Sequence, residues 1–194
     1  MHISEGVLKP EILIPAAAVS AVWLGWLFYK LEFEKIPKIA CMSALFFIAS
    51  FIHVPIGVTS IHLVLSGLIG AMLGANAVIA IFAALFLQGL LFGYGGITTL
   101  GVNLLVMALP ALLGRVFLRL SFIKFQKLMW FLVGFVPILL SSVLLSLVLA
   151  LNGDEFLAVA YLAFMSNLPL MAIEGLISLF ALTFIYKTNR DLLI

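Results

Sequence analysis

Seven apolar runs, at about residues 12–29, 37–53, 61–73, 76–92, 98–119, 129–151 and 156–186, follow one another with only short polar or glycine-rich breaks between them. Few folds are open to such a chain. Hydrocarbon offers peptide groups no hydrogen-bonding partner, so a segment crossing a bilayer must satisfy its own backbone as a helix or close into a barrel. The runs show no apolar–polar alternation of period two, which argues against the barrel. About 20 apolar residues span a bilayer as a helix. With 65% of its 194 residues hydrophobic and 9% charged, the chain reads as an all-α integral membrane protein. We expect one polytopic domain, residues 1–194, forming a single bundle of about seven transmembrane helices. The second and third runs are short, which suits tilting, pairing as a helical hairpin or partial re-entry. The last is long, and Asn167-Leu168-Pro169 predicts a break or kink within it.

The ten Lys and Arg residues set the expected orientation, because cytoplasmic loops accumulate them. With the amino terminus outside, the inner face receives Lys30, Lys35 and Lys38, then Arg115, Arg119, Lys124 and Lys127, and last Lys187 and Arg190, leaving only Lys9 outside. The N-out, C-in arrangement follows. The small net charge of +2 is confined to loops and implies no nucleic-acid partner. Cys41 excludes a disulfide within the chain, since it is the single cysteine; its apolar surroundings predict a small buried hydrophobe. The first apolar run is expected to be a retained span rather than a signal peptide, because Glu5 and Glu11 outweigh Lys9 where a positive n-region belongs.

That orientation gathers Met1-His2, the 53–62 loop with His53 and His62, and Gly93-Tyr94-Gly95-Gly96 on one side of the membrane. A free amino terminus followed by histidine can chelate a transition metal through three nitrogens: the terminal amine, the His2 amide and the His2 imidazole Nδ1. Four nitrogens in a plane suit Ni(II) or Cu(II), so one further imidazole would complete a nickel-type site. His62, opening the third run, is the better candidate, and His53, followed by Val54-Pro55, suits an interfacial role. A ligating imidazole gives its other ring nitrogen to an acceptor, for which Ser60, Ser66, Asn103 and Asn167 are candidates. Asn103 fits a helix-to-helix hydrogen bond equally well.

Glu174 is the only acidic residue inside a predicted span, where a charge costs about 2.5–3.5 kcal/mol. An intramembrane ion pair with Arg115 or Arg119 is the first expectation, with protonation or cation movement as alternatives. Gly67, Gly70, Ala71, Gly74 and Ala75 form one small-residue face and Ala40 to Ala44 another, either packing within the chain or docking a partner. The chain carries no Gly-x-x-x-x-Gly-Lys-Ser/Thr loop, no His-Glu-x-x-His and no nucleophile with an acid and a base. It is therefore not expected to be an enzyme, and energy for transport would come from a partner.

The chain resembles the metal-binding membrane subunits of energy-coupling-factor importers for cobalt and nickel, the CbiM/NikM family, over nearly its whole length. The resemblance rests on Met1-His2-Ile3-x-Glu5-Gly6, on Ser60-x-His62 with Gly67-Leu68, and on Gly95-Gly96-x-Thr98-Thr99-Leu100-Gly101-x-Asn103-x-x-x-Met107. Asn167-Leu168-Pro169-Leu170 leading to Glu174-Gly175 completes it. It implies seven helices and an extracytoplasmic amino terminus that plugs a central cavity. Its ligand set would be the Met1 amine, the His2 amide and imidazole, and the His62 imidazole. It implies Ni(II) or Co(II) as transported substrate, in some relatives linked to cobalamin biosynthesis, and no organic cofactor. It further implies a prokaryotic inner (plasma) membrane and partners comprising a transmembrane coupling (T) subunit and ATPase subunits, with room for a small accessory membrane subunit. The Ala40 and Ala44 face would be a docking surface. Relatives often carry histidine where this chain has Tyr94 and Asn167. The alternative functions are an intramembrane metalloenzyme and a structural or assembly subunit.

Overall fold

The computed structural model describes residues 2–56, 59–123 and 125–193, and for the stretch around the 53–61 segment the backbone alone. Seven α-helices are present among the described residues: α1 (Pro10–Tyr29), α2 (Ile36–Ala49), α3 (Ser66–Leu73), α4 (Ala77–Phe92), α5 (Leu100–Ser121), α6 (Gln126–Asn152) and α7 (Leu157–Thr188). Between α2 and α3 stand two short antiparallel strands, β1 (His53–Ile56) and β2 (Thr59–His62), which pair His53 opposite His62.

Among the described residues, five helical segments are long and apolar enough to span a bilayer: α1, α3 with α4 as one unit over Ser66–Phe92, α5, α6, and α7 with its preceding turn. The 14-residue α2 extends only about 21 Å, short of a hydrocarbon core of about 30 Å. The run at 61–73 begins as β2 and contributes the eight residues of α3, which is continued by α4 in the Ser66–Phe92 segment. Every residue of α3 from Ser66 to Met72 is buried in protein.

Small residues make that burial possible. A Cβ on Gly67 would strike the Val133 carbonyl of α6, one on Gly70 the Ala111 carbonyl of α5, and one on Gly114 the Gly67 carbonyl in return. The Gly67–Gly70 face therefore packs within this chain, which lets helix backbones approach closely. The expected break in the last helix is absent, since α7 runs continuously for 32 residues through Pro169. Just ahead of the proline, Ser166 Oγ donates to Leu162 O at 2.7 Å and Asn167 Nδ2 to Ala163 O at 2.8 Å, back-bonding within the helix.

α1 lies at the periphery. Ile14, Val19, Val22 and Trp26 on it are exposed, as lipid-facing side chains would be, and it rests on α5 where Ser20 Oγ donates to Gly101 O at 2.8 Å. Cys41 is exposed rather than buried, on the opposite side of α2 from the buried Ile39, Phe46 and Ala49. The two ends of the bundle differ in chemistry: one gathers residues 2–9, β2, the 93–98 loop and Asn152, and the other gathers Lys35, Lys38, Arg115 and Arg119 around one cleft.

Candidate metal centre

Residues 2–9 form no helix or strand, so their peptide groups need partners from elsewhere when they enter the bundle. Four hydrogen bonds from asparagine side chains provide them, and a fifth ties in the Glu5 side chain. Asn103 Oδ1 accepts from Ile3 N–H at 2.9 Å and Asn103 Nδ2 donates to Ile3 O at 3.1 Å. At the far end of the segment, Asn152 Oδ1 accepts from Lys9 N–H at 2.8 Å and Asn152 Nδ2 donates to Val7 O at 2.9 Å. Between the two, Glu5 Oε1 accepts from Thr98 N–H at 3.1 Å. Ile3 and Leu8 are buried in the core.

Gly95 and Gly96 make room for this segment. Both have positive φ, +80° and +113°, and a Cβ on Gly95 would sit 2.9 Å from Asn103 Nδ2 and 3.6 Å from His2 Cβ. One on Gly96 would collide with the Glu5 side chain. No residue but glycine holds such a backbone without strain.

The segment delivers His2 onto His62. Their rings stack with centroids 4.8 Å apart and planes 13° from parallel. An imidazole nitrogen bound at about 2.0–2.1 Å places its ring centroid about 3 Å from the ion, so two such rings lie at most about 6 Å apart. The observed separation fits within that reach. His62 is buried, and its Nδ1 lies 3.0 Å from Leu63 O, a hydrogen bond when Nδ1 carries the proton. That tautomer leaves Nε2 with its lone pair.

Both ring nitrogens of His2 are buried and have no hydrogen-bond partner among the described residues. Burial holds its imidazole well below the ordinary pKa, with the amino-terminal charge and His62 adding to the effect. A neutral ring with unsatisfied nitrogens is costly to bury, at about 1–3 kcal/mol for each unmade bond, and suited to accept an ion. Among the described residues no three His, Cys, Asp or Glu side chains converge.

The other expected residues fall variously. Met1 lies outside the described residues, as do the side chains of His53 and Ser60. Ser66 Oγ is buried without a partner. Asn103 bonds the amino-terminal segment and Thr99 Oγ1, and Asn167 Nδ2 donates within its own helix. The Leu63 carbonyl beside His62 Nδ1 is a main-chain acceptor that no side-chain inventory could name. Tyr94 is exposed and packs its ring on Phe92 at 5.9 Å.

Glu174 corrects the expected ion pair. It is fully buried, and its carboxyl oxygens accept from Val64 N–H at 2.6 Å and from Leu65 N–H at 2.9 and 3.0 Å. Arg115 instead donates to Ala71 O at 3.0 Å, at the last turn of α3, and Arg119 stands in the same cleft at the opposite end from His62. Glu174 thus fixes the turn between His62 and α3, where Leu65 is held at a φ of +55°, a conformation costing about 1–2 kcal/mol outside glycine. Asn152 escaped the sequence reading, although Asn152-Gly153 stands at a break between runs, and Glu5 entered it only as part of the opening motif.

Residues 2–192 match the profile of the family described as CbiM, cobalt uptake substrate-specific transmembrane region. A Haemophilus influenzae protein named "Putative metal transport protein" is 35% identical, the alignment covering all of this chain and 97% of that one. The Cobalt transport protein CbiM of Lachnoclostridium phytofermentans is 30% identical over 92% of this chain and 79% of its own length. A crystal structure described as a transition metal transporter superposes with a TM-score of 0.83 at 27% identity, over 98% of this chain and 95% of that chain. The chain belongs to the CbiM family, and is a membrane component of cobalt and nickel transport.

Proposed function

We propose that this chain is the substrate-capturing transmembrane subunit of an energy-coupling-factor importer, holding Ni(II) or Co(II) through the Met1 amine, the His2 amide and imidazole, and the His62 imidazole. The observation that carries the reading is the buried His2–His62 pair with the His2 nitrogens unbonded. A deprotonated amide in a planar nitrogen set favours nickel chemically, and availability can override that preference. The amino terminus faces outside and the basic end of the bundle the cytoplasm, in accord with the accumulation of cations on that side.

The ion arrives from outside, loses its waters to the four nitrogens and is enclosed as residues 2–9 seat between the 93–98 loop and α5. Its inward release is driven by a transmembrane coupling subunit and ATPase subunits. Ala40 and Ala44 support a docking role, since both are exposed and line an apolar groove of about 550 Å³ between α1, α2 and α4.

The chelate requires an unblocked Met1, which gives the test. Purified protein with its native start should hold one divalent ion, and a variant extended by one residue ahead of Met1 should hold none while keeping its melting temperature and membrane insertion. Equal metal content in the two would refute the amino-terminal chelate.

A further inference from the structure

The cleft at the basic end is a place where four cations from separate parts of the chain converge. Lys35 precedes α2, Lys38 lies in its first turn, and Arg115 and Arg119 are one turn apart on α5. They line a cavity of about 530 Å³ with no Asp or Glu among its lining residues. Lys35 reaches Glu32 at 2.9 Å, outside the cleft. Like charges crowded in this way repel one another, and loop accumulation of cations alone does not require them to share a cavity. An anion would relieve the repulsion.

The remaining walls say which kind of anion. Met72, Leu73, Leu112 and Val116 add apolar wall beside the 74–76 turn, which brings the amide of Asn76, and Val116 is half exposed on the outer surface of a spanning helix. The cavity therefore opens beside hydrocarbon. Arg115 lies six residues before the end of α5 at Ser121, about 9 Å along the helix, near one end of the bundle. Arg115 is also held, by its bond to Ala71 O at 3.0 Å, so its planar donors are fixed before a ligand comes. Guanidinium groups recognise phosphate oxygens in pairs of hydrogen bonds, and lysines add point charge.

We propose that this cleft binds the phosphate of an anionic phospholipid, cations on the headgroup and the apolar wall against the first part of the acyl chains. Basic pockets between helices at a membrane surface bind such headgroups. The site lies at the opposite end of the bundle from His2 and His62, so it stands or falls separately from the metal site.

The experiment is lipid analysis after detergent extraction. Full-length protein is reconstituted in nanodiscs of phosphatidylcholine mixed with phosphatidylglycerol, extracted, and its retained lipid measured by mass spectrometry, with and without inorganic phosphate. Wild type should be enriched in phosphatidylglycerol over the bulk ratio, and Lys38→Gln and Arg119→Gln should each weaken the enrichment about fivefold. Both residues are exposed, and Arg115 is left in place to spare its contact with α3. The melting temperature checks each fold, and Lys38→Gln alone suffices if Arg119→Gln misfolds. Retention at the bulk ratio by wild type overturns the proposal and leaves the cleft to an acidic protein segment. Retention unaffected by both variants overturns it as well, and so does complete displacement by inorganic phosphate, which would mark a site for the free anion.

Discussion

Replacing Glu174 by leucine separates the role assigned to it from that of an incidental buried acid. In the native structure its carboxyl oxygens are the acceptors for Val64 and Leu65 N–H, at 2.6 to 3.0 Å. Glu174→Leu leaves both donors buried and unbonded, at about 1–3 kcal/mol each, so about 2–6 kcal/mol together. Relaxing Leu65 out of its left-handed conformation returns about 1–2 kcal/mol, and that gain pulls the loop away from its native course. His62 stands two residues before Val64 and moves with it. Global stability reports this poorly, because removing a buried carboxyl is favourable in itself. Metal affinity is the better readout. Groups that orient a ligand are worth about 10–100-fold in affinity, so calorimetric titration with Ni(II) should show a loss of that size for Glu174→Leu. Glu174→Gln keeps one oxygen able to accept both bonds that Oε1 now takes, and should lie much closer to wild type. Native affinity in the leucine variant, or an equal loss in both, would refute the argument that the carboxyl acts as an acceptor for the loop.

Two other outcomes can be measured directly. The depressed His2 imidazole stays neutral in the folded chain below about pH 6.5, where the unfolded chain takes up a proton, so its contribution to stability is fully present above that pH and is lost as the pH falls through the ordinary imidazole range. Metal-free protein should therefore melt at lower temperature near pH 5.5 than near pH 7.5, and His2→Leu should flatten the difference; a wild-type profile as flat as the variant's would contradict the burial of a neutral ring. Metal binding should weaken with acid for the separate reason that protons compete for the ligand nitrogens. Gly96→Ala puts a Cβ into the Glu5 side chain at a φ of +113°. It should unseat residues 2–9 and reduce bound Ni(II) at least tenfold while α-helical circular dichroism is preserved; unchanged metal content would mean that the segment does not depend on this close approach.

Periodicity and charge made the helical architecture legible, and the charge asymmetry together with Met1-His2 pointed to the end of the bundle where the structure places His2 against His62. What stayed hidden depends on main-chain groups and on burial. Glu174 looked unpaired because its partners are the N–H groups of Val64 and Leu65, about 110 residues earlier in the chain, and Arg115 looked available because its carbonyl partner on α3 carries no side-chain signature. The burial of α3 within protein was hidden in the run at 61–73 because a helix enclosed by protein and one enclosed by lipid are equally apolar. Cys41 shows the reverse ambiguity, an apolar context that belongs to an exposed helix face.

The way residues 2–9 are fastened bears on why such a subunit would need partners. Five hydrogen bonds secure the segment, each worth a net of about 0.5–1.5 kcal/mol, and burial of Ile3 and Leu8 adds about 1.5–3 kcal/mol apiece. Even discounted for the entropy of ordering eight residues, the bonds are spread over three anchor points, Asn103, Thr98 and Asn152, on both sides of His2's path into the bundle. Breaking one leaves the others in place. A segment fastened in this way opens as a unit and seldom by itself, so on the proposed reading a captured ion is retained until something strains all three anchors together. Asn103 and Thr98 flank the start of α5, and Asn152 ends α6. A partner that tilts α5 against α6 from the basic end would reach all three through rigid helices, and release becomes a matter of helix displacement rather than of ligand chemistry.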